Sequence, residues 1–132
     1  MKAERKPEHH PESLYILVRR VAKLCETGHR QVRGRGRLGK GPRARRVQEA
    51  RELFCVAALL ADEVEVRDLA AFLHTEQRDV RRLVTAGLRR HAENTLFRWR
   101  VTALTHQLAA LGFSVIGYLP FAPTTTNQLT TP

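Results

Sequence analysis

Gln77, Arg78, Arg81, Arg82 and Thr85 recur at the spacing of one helix face. Each of these side-chain types can bond a base edge or a phosphate, arginine most specifically through two parallel N–H bonds to guanine. A second basic set lies upstream. Arg33, Arg35, Arg37, Lys40, Arg43, Arg45 and Arg46 fall in a stretch, 30–46, that no acid interrupts. Gly34, Gly36, Gly39, Gly41 and Pro42 keep that stretch from being a regular helix. A basic loop of this kind can follow a phosphate backbone or enter a minor groove, where narrow width favours arginine. The bland alternatives are a solvated charge run for the loop and a solvated helix face for the second cluster. Two separate basic elements in one small chain weigh against both.

The elements that must position these residues follow from the apolar spacing. Leu69, Ala70 and Leu73 form one stripe, a polar turn follows at His74-Thr75, and Val80, Leu83 and Val84 form another. That is the spacing of a helix-turn-helix, with small Ala70 at the close approach and Val80, ten positions on, plugging the angle. Ser13 caps a helix carrying Leu14, Leu17, Val18, Val21, Leu24 and Cys25, with Gly28 as its stop. Val47, Ala50, Leu53, Phe54, Ala57, Ala58 and Leu60 predict a long helix starting at about Arg43 or Arg46. Asp62-Glu63 is read as a turn. Leu96, Val101, Leu104, Leu108 and Leu111 predict a last amphipathic helix ending at Gly112. The expectation is an all-α chain with five helices, near 13–26, 45–61, 65–73, 76–91 and 94–111. Residues 1–12 form a flexible arm, 13–92 the helix-turn-helix domain, 93–112 the added helix, and 113–132 an extended, largely disordered tail.

Composition narrows the partner. The 132 residues carry 23 Lys and Arg against 13 Asp and Glu, a net charge of +10. Such an excess favours a polyanion, because each neutralised phosphate releases condensed counterions. No apolar run of membrane-spanning length occurs and the start lacks the apolar core of a signal peptide, so the chain reads as cytoplasmic and nucleoid-associated.

Other chemistries are poorly served. Gly34-Arg-Gly-Arg-Leu-Gly39-Lys40 matches dinucleotide and phosphate-loop patterns literally, but a helix precedes it where a strand is needed, and Gly41 has no hydroxyl for magnesium. Cys25 and Cys55 read as small buried hydrophobes. Cys25 and His29 with His9 and His10 lack the paired spacing of a zinc site. No Ser/His/Asp set is legible, so no enzyme, cofactor or metal is expected. Trp99, between Arg98 and Arg100, reads as a packing or interface residue rather than a base-stacking one.

The order helix, basic loop, long helix, helix-turn-helix resembles the C-terminal DNA-binding domain of the bacterial replication initiator DnaA, its domain IV. It is more similar still to the version appended to REP-associated tyrosine transposases. The likeness rests on Arg43-Ala-Arg-Arg-Val-Gln-Glu-Ala-Arg-Glu-Leu-Phe-Cys-Val-Ala-Ala-Leu-Leu60, on Val66-Arg-Asp-Leu-Ala-Ala-Phe-Leu73 and on Val80-Arg-Arg-Leu83, spanning Leu14 to Arg90. It implies minor-groove entry by Arg43, Arg45 and Arg46, and major-groove reading by Gln77, Arg78, Arg81 and Arg82. The family's Asp-His-Thr-Thr-Val signature is replaced by Glu76-Gln-Arg-Asp-Val80, so the family's DNA site is not implied. His74 stands where such turns usually hold glycine, so the turn is either slightly strained or uses a histidine in the left-handed region. The expected function is therefore a double-stranded DNA-binding module with a possible homodimer contact through 94–111. The alternatives are the DNA-targeting fragment of a mobile-element transposase, or a helical domain that binds RNA or protein.

Overall fold

A computed structural model describes residues 10–34, 38–61 and 63–116. Among them are six helices: α1 Glu12–Leu24, α2 His29–Arg33, α3 Pro42–Ala58, α4 Val66–Phe72, α5 Gln77–Glu93 and α6 Thr95–Ala110. The described part of the chain is all-helical, apart from one isolated antiparallel bridge between Ala61 and Val115. No helix among the described residues is long and apolar enough to cross a membrane.

Helix α3 is the hub. From Glu52 to Ala58 every residue is buried, so this stretch has no solvent face. It packs against α1, α2, α5 and α6. Phe54 stacks on Phe72 of α4 with ring centres 5.6 Å apart, joining the hub to α4. The approach of α5 depends on Gly87. A Cβ there would stand 2.5 Å from Val56 Cγ2 and 3.0 Å from the Glu52 carbonyl oxygen.

Three helices end the same way, with a left-handed residue and a bond from the following amide back over the last turn. Thr27 N–H reaches the Ala22 carbonyl past Glu26 at φ 55°, and Thr75 N–H reaches Ala70 past His74 at φ 58°. Phe113 N–H reaches Leu108 past Gly112 at φ 97°. Of the two outcomes open for His74, a strained turn or the left-handed region, it takes the second. Glu26, not Gly28, turns the chain after α1.

Several expectations need correction. There are six helices among the described residues rather than five, because α2 lies within the stretch read as irregular. Its Val32 is fully buried, and Gln31 Oε1 accepts the Gly28 N–H at 3.3 Å, so Gly28 opens a helix instead of closing one. Helix α3 begins at Pro42, whose fixed φ and missing N–H suit a first-turn position, after Gly41 at φ 105°. Ser13 does not cap α1. Pro11 precedes the helix and Ser13, buried inside its first turn, donates to Glu63 Oε2 at 3.0 Å. In α6, Phe97 occupies the core, while Leu96 and Leu111 are exposed. The apolar stripe of α6 is therefore Phe97, Val101, Leu104 and Leu108. Residues 1–9 of the arm, Asp62 of the turn and 117–132 of the tail lie outside the described residues.

Candidate nucleic-acid interface

Helices α4 and α5 turn both of their apolar stripes inward. Leu69, Ala70 and Leu73 are buried, as are Val80 and Val84, with Leu83 half-buried. Helix α4 ends at Phe72 and α5 begins at Gln77, so the connection is short and held by His74 and Thr75. The Thr75 hydroxyl donates to Asp79 Oδ2 at 2.8 Å, and this bond first of all, with nearby Arg78 and Arg82, holds the Asp79 carboxyl below its usual range. An acid in a first turn also complements the helix dipole. Both features tie the turn to the start of α5.

Val80 and Val84 face the core, so Gln77, Arg78, Arg81, Arg82 and Thr85 must face outward, and all five are exposed. Their local partners are weak. Arg78 Nε lies 3.2 Å from Glu76 Oε1 with both side chains more than two-thirds exposed, and Arg81 Nη2 donates to Gln77 Oε1 at 3.3 Å. Exposed pairs of this kind contribute little and exchange readily for another acceptor. Arg89 extends the row and was missed in the sequence. It stands four residues after Thr85 and shares a shallow depression of about 370 Å³ with Arg81 and Arg82. The i, i+4 step from Thr85 was the available signal.

The expected loop residues separate into three groups. Arg35 and Arg37 lie outside the described residues. Lys40 is exposed, as are Arg43, Arg45 and Arg46, but these three arginines belong to the beginning of α3 and not to a loop. The helix fixes their mutual spacing. Arg43 and Arg46 border a depression of about 410 Å³ with Lys23 and Gln31.

Arg33 forms the third group. It closes α2 and turns inward: its Nε donates to the Phe72 carbonyl at 2.9 Å, and its guanidinium sits 3.9 Å from the Phe72 ring centre and 5.4 Å from that of Tyr15. Such contacts anchor α2 to the end of α4. Tyr15 and Phe72 meet edge to face at 5.2 Å, with His10 against the same Phe72 ring.

Between α2–α3 and the α4–α5 pair runs a groove of about 520 Å³. Gln48, Arg51, Thr75, Asp79 and Arg82 line it. Arg51 donates to the Gln31 carbonyl at 2.9 Å, and burial lowers the affinity of its guanidinium for its proton. Arg51 of α3 and Arg82 of α5 line this groove together, which no sequence spacing announced.

Behind this surface, Glu52 of α3 is buried and carries an ion pair to Arg90 Nε, while its second oxygen accepts from Gln48 Nε2 at 3.0 Å. At the far end of α5, Arg98 donates to the His91 and Ala92 carbonyls at 2.7 and 3.2 Å, and Asn94 Oδ1 accepts the Phe97 N–H at 2.9 Å. These bonds close one helix and open the next.

Burial raises the Cys25 thiol to about 11, partly offset by Arg100, and pushes Cys55 up further. Among the described residues no group of three or more His, Cys, Asp or Glu side chains could hold a metal ion. No protein-family model, curated protein or solved structure matches this chain.

Proposed function

We propose that this chain is a double-stranded DNA-binding module of the helix-turn-helix kind, related in plan to the DNA-binding domain of DnaA and its transposase-appended versions. One observation carries the reading: a short turn with a left-handed His74 joins α4 to α5, and α5 presents Gln77, Arg78, Arg81, Arg82, Thr85 and Arg89 to solvent together. In this mode α5 lies in the major groove and its arginines address guanine edges. Arg43, Arg45 and Arg46, with Lys40 before them, contact phosphates and set register. The net charge of +10 supplies the sequence-independent part of the affinity. Arg33 is left out of this set because its guanidinium is engaged with Phe72.

Selection of bound duplexes from a random pool, followed by titration of the selected and a scrambled duplex at two salt concentrations, tests this. Arg81→Ala is expected to cost about 1–3 kcal/mol on the selected site and much less on the scrambled one. Arg43→Ala with Arg45→Ala is expected to weaken both alike. The same pair of changes should make the slope of log affinity against log salt shallower, by about 0.9 for each phosphate that is no longer neutralised. Equal losses from both sets on every duplex would reduce α5 to a phosphate clamp. Tighter binding of structured RNA than of any duplex would overturn the reading.

A further inference from the structure

We propose that the groove between α2–α3 and the α4–α5 pair is a binding site for a small amphipathic anion, a carboxylate head on a flat apolar body. At about 520 Å³ it has the size of cavities that hold such ligands. Its apolar lining comes from residues far apart in the sequence: Val32 of α2, Leu73 after α4, and Leu83 and Ala86 of α5. Val32 and Leu73 are buried, whereas Leu83 and Ala86 are half-buried and leave part of their surface to an incoming apolar body.

The charges of the lining select the sign of the ligand. Two guanidiniums, Arg51 and Arg82, stand there against one carboxylate, Asp79. That carboxylate is already engaged: it accepts the Thr75 hydroxyl at 2.8 Å and a bond from the Glu76 backbone. Arg82 is exposed and feels Asp79 only at longer range. Arg51 is the group without a counter-charge. Its Nη2 donates to the Gln31 carbonyl at 2.9 Å, its Nε is buried with no hydrogen-bond partner, and among the described residues no carboxylate pairs with it. Burial disfavours its charge, so an anion that reaches it restores what desolvation takes away. A planar guanidinium can take a carboxylate through two parallel bonds. Acetate alone would satisfy the guanidiniums and leave the valine and leucines uncovered, and an uncharged aromatic would do the reverse. A ligand with both parts uses the whole lining.

The full chain, without nucleic acid, is titrated with indole-3-acetate, indole-3-acetamide and acetate at constant ionic strength, each to about 10 mM. Proton–nitrogen correlation spectra that include the arginine Nε–H groups follow the binding. Indole-3-acetate is expected to shift the Arg51 Nε–H and the amides of Val32, Leu73, Leu83 and Ala86 along one saturable curve, with a dissociation constant on the order of 1 mM. Indole-3-acetamide and acetate should each bind at least about tenfold more weakly. Arg51→Gln should bring indole-3-acetate down to the level of its amide. Ala86→Leu, which fills the groove from α5, should abolish binding even if Arg51→Gln proves unfolded. Acetate as tight as indole-3-acetate overturns the proposal by reducing the groove to surface charge, and an equally tight amide reduces it to an apolar hollow. Shifts spread over the exposed arginines without saturation, or no shifts at all, overturn it as well. Saturable binding that survives both substitutions places the site elsewhere and also sinks the idea. None of these readings depends on DNA, so failure here leaves the DNA-binding reading standing, and the reverse also holds.

Discussion

Arg81 and Arg90 stand nine residues apart on α5, half a helical turn out of phase, and they are different residues in everything but name. Arg90 is partly buried and meets Glu52, whose side chain is only 5% exposed. Arg81 projects into solvent with a neutral glutamine at 3.3 Å. The inner arginine is committed to holding α5 on α3, and its bond to Glu52 raises its affinity for its proton further. The outer one is available. A count of arginines along α5 cannot separate these roles; what separates them is a carboxylate on another helix.

That contrast can be broken experimentally, starting where the largest effect is expected. Arg90→Met strands the buried Glu52 carboxylate and should destabilise the fold by about 3 kcal/mol, near the low end for a broken buried pair because the arginine is itself partly exposed. Adding Glu52→Gln should recover part of the loss. Urea denaturation of the two single variants and the double one measures the coupling, and strict additivity would mean that the pair holds nothing.

Next comes Gly87→Ala, on the same inner side. Alanine improves helix propensity by about 1 kcal/mol. Its Cβ nevertheless falls within 2.5 Å of Val56 Cγ2, and Val56 is fully buried, so overpacking should win by about 1–2 kcal/mol. Val56→Ala in the same chain should relieve it. A Gly87→Ala variant more stable than the parent would show that α3 and α5 can separate at little cost.

Arg81→Ala should change stability by no more than about 0.5 kcal/mol, since it removes only an exposed contact. Thermal denaturation checks this, and a larger loss would erase the contrast with Arg90. The smallest effect concerns the turn. The Thr75 hydroxyl depresses the Asp79 carboxyl, so that bond's stabilisation is full at neutral pH and is lost as pH falls through the ordinary carboxylate value of about 3.9 and below. Thr75→Ala removes the largest part of the dependence and leaves what the Glu76 backbone bond, Arg78 and Arg82 contribute. Urea midpoints followed through that acid range should therefore fall less steeply for the variant than for the parent, and parallel curves would detach the hydroxyl from the carboxylate.

Much of this architecture was legible in the residues. The stripes around Ala70 and Val80 are local and periodic, and they predicted α4, the turn and α5 to within a residue or two at each end. A histidine standing in a glycine's place left two outcomes open, a strained turn or a left-handed residue, and the chain takes the second. What stayed hidden was set between elements. Helix α2 is five residues long, with a single buried valine among arginines and glycines, so no period could announce it. The inward turn of Arg33 depends on where Phe72 comes to rest, and the Glu52–Arg90 pair joins residues 38 positions apart. Leu96 was a misread spacing and not a hidden contact: it stands five residues before Val101, about 140° around the helix, whereas Phe97 stands four before it and shares its face. The outward row on α5 was legible apart from Arg89, whereas the groove that adds Arg51 to it was not.

The bridge between Ala61 and Val115 has a consequence for how the chain assembles. Ile116 N–H donates to the Leu60 carbonyl at 2.7 Å, closing a circuit that contains α4, α5 and α6. Bringing such distant backbone together carries a loop-closure entropy that only the intervening helices, once docked, can offset. The clasp therefore belongs to the last stage of folding and opens first when the native state fluctuates. In amide hydrogen exchange Ile116 should lose its proton well before the buried amides of α3, making this one residue a sensor of whether α6 is seated.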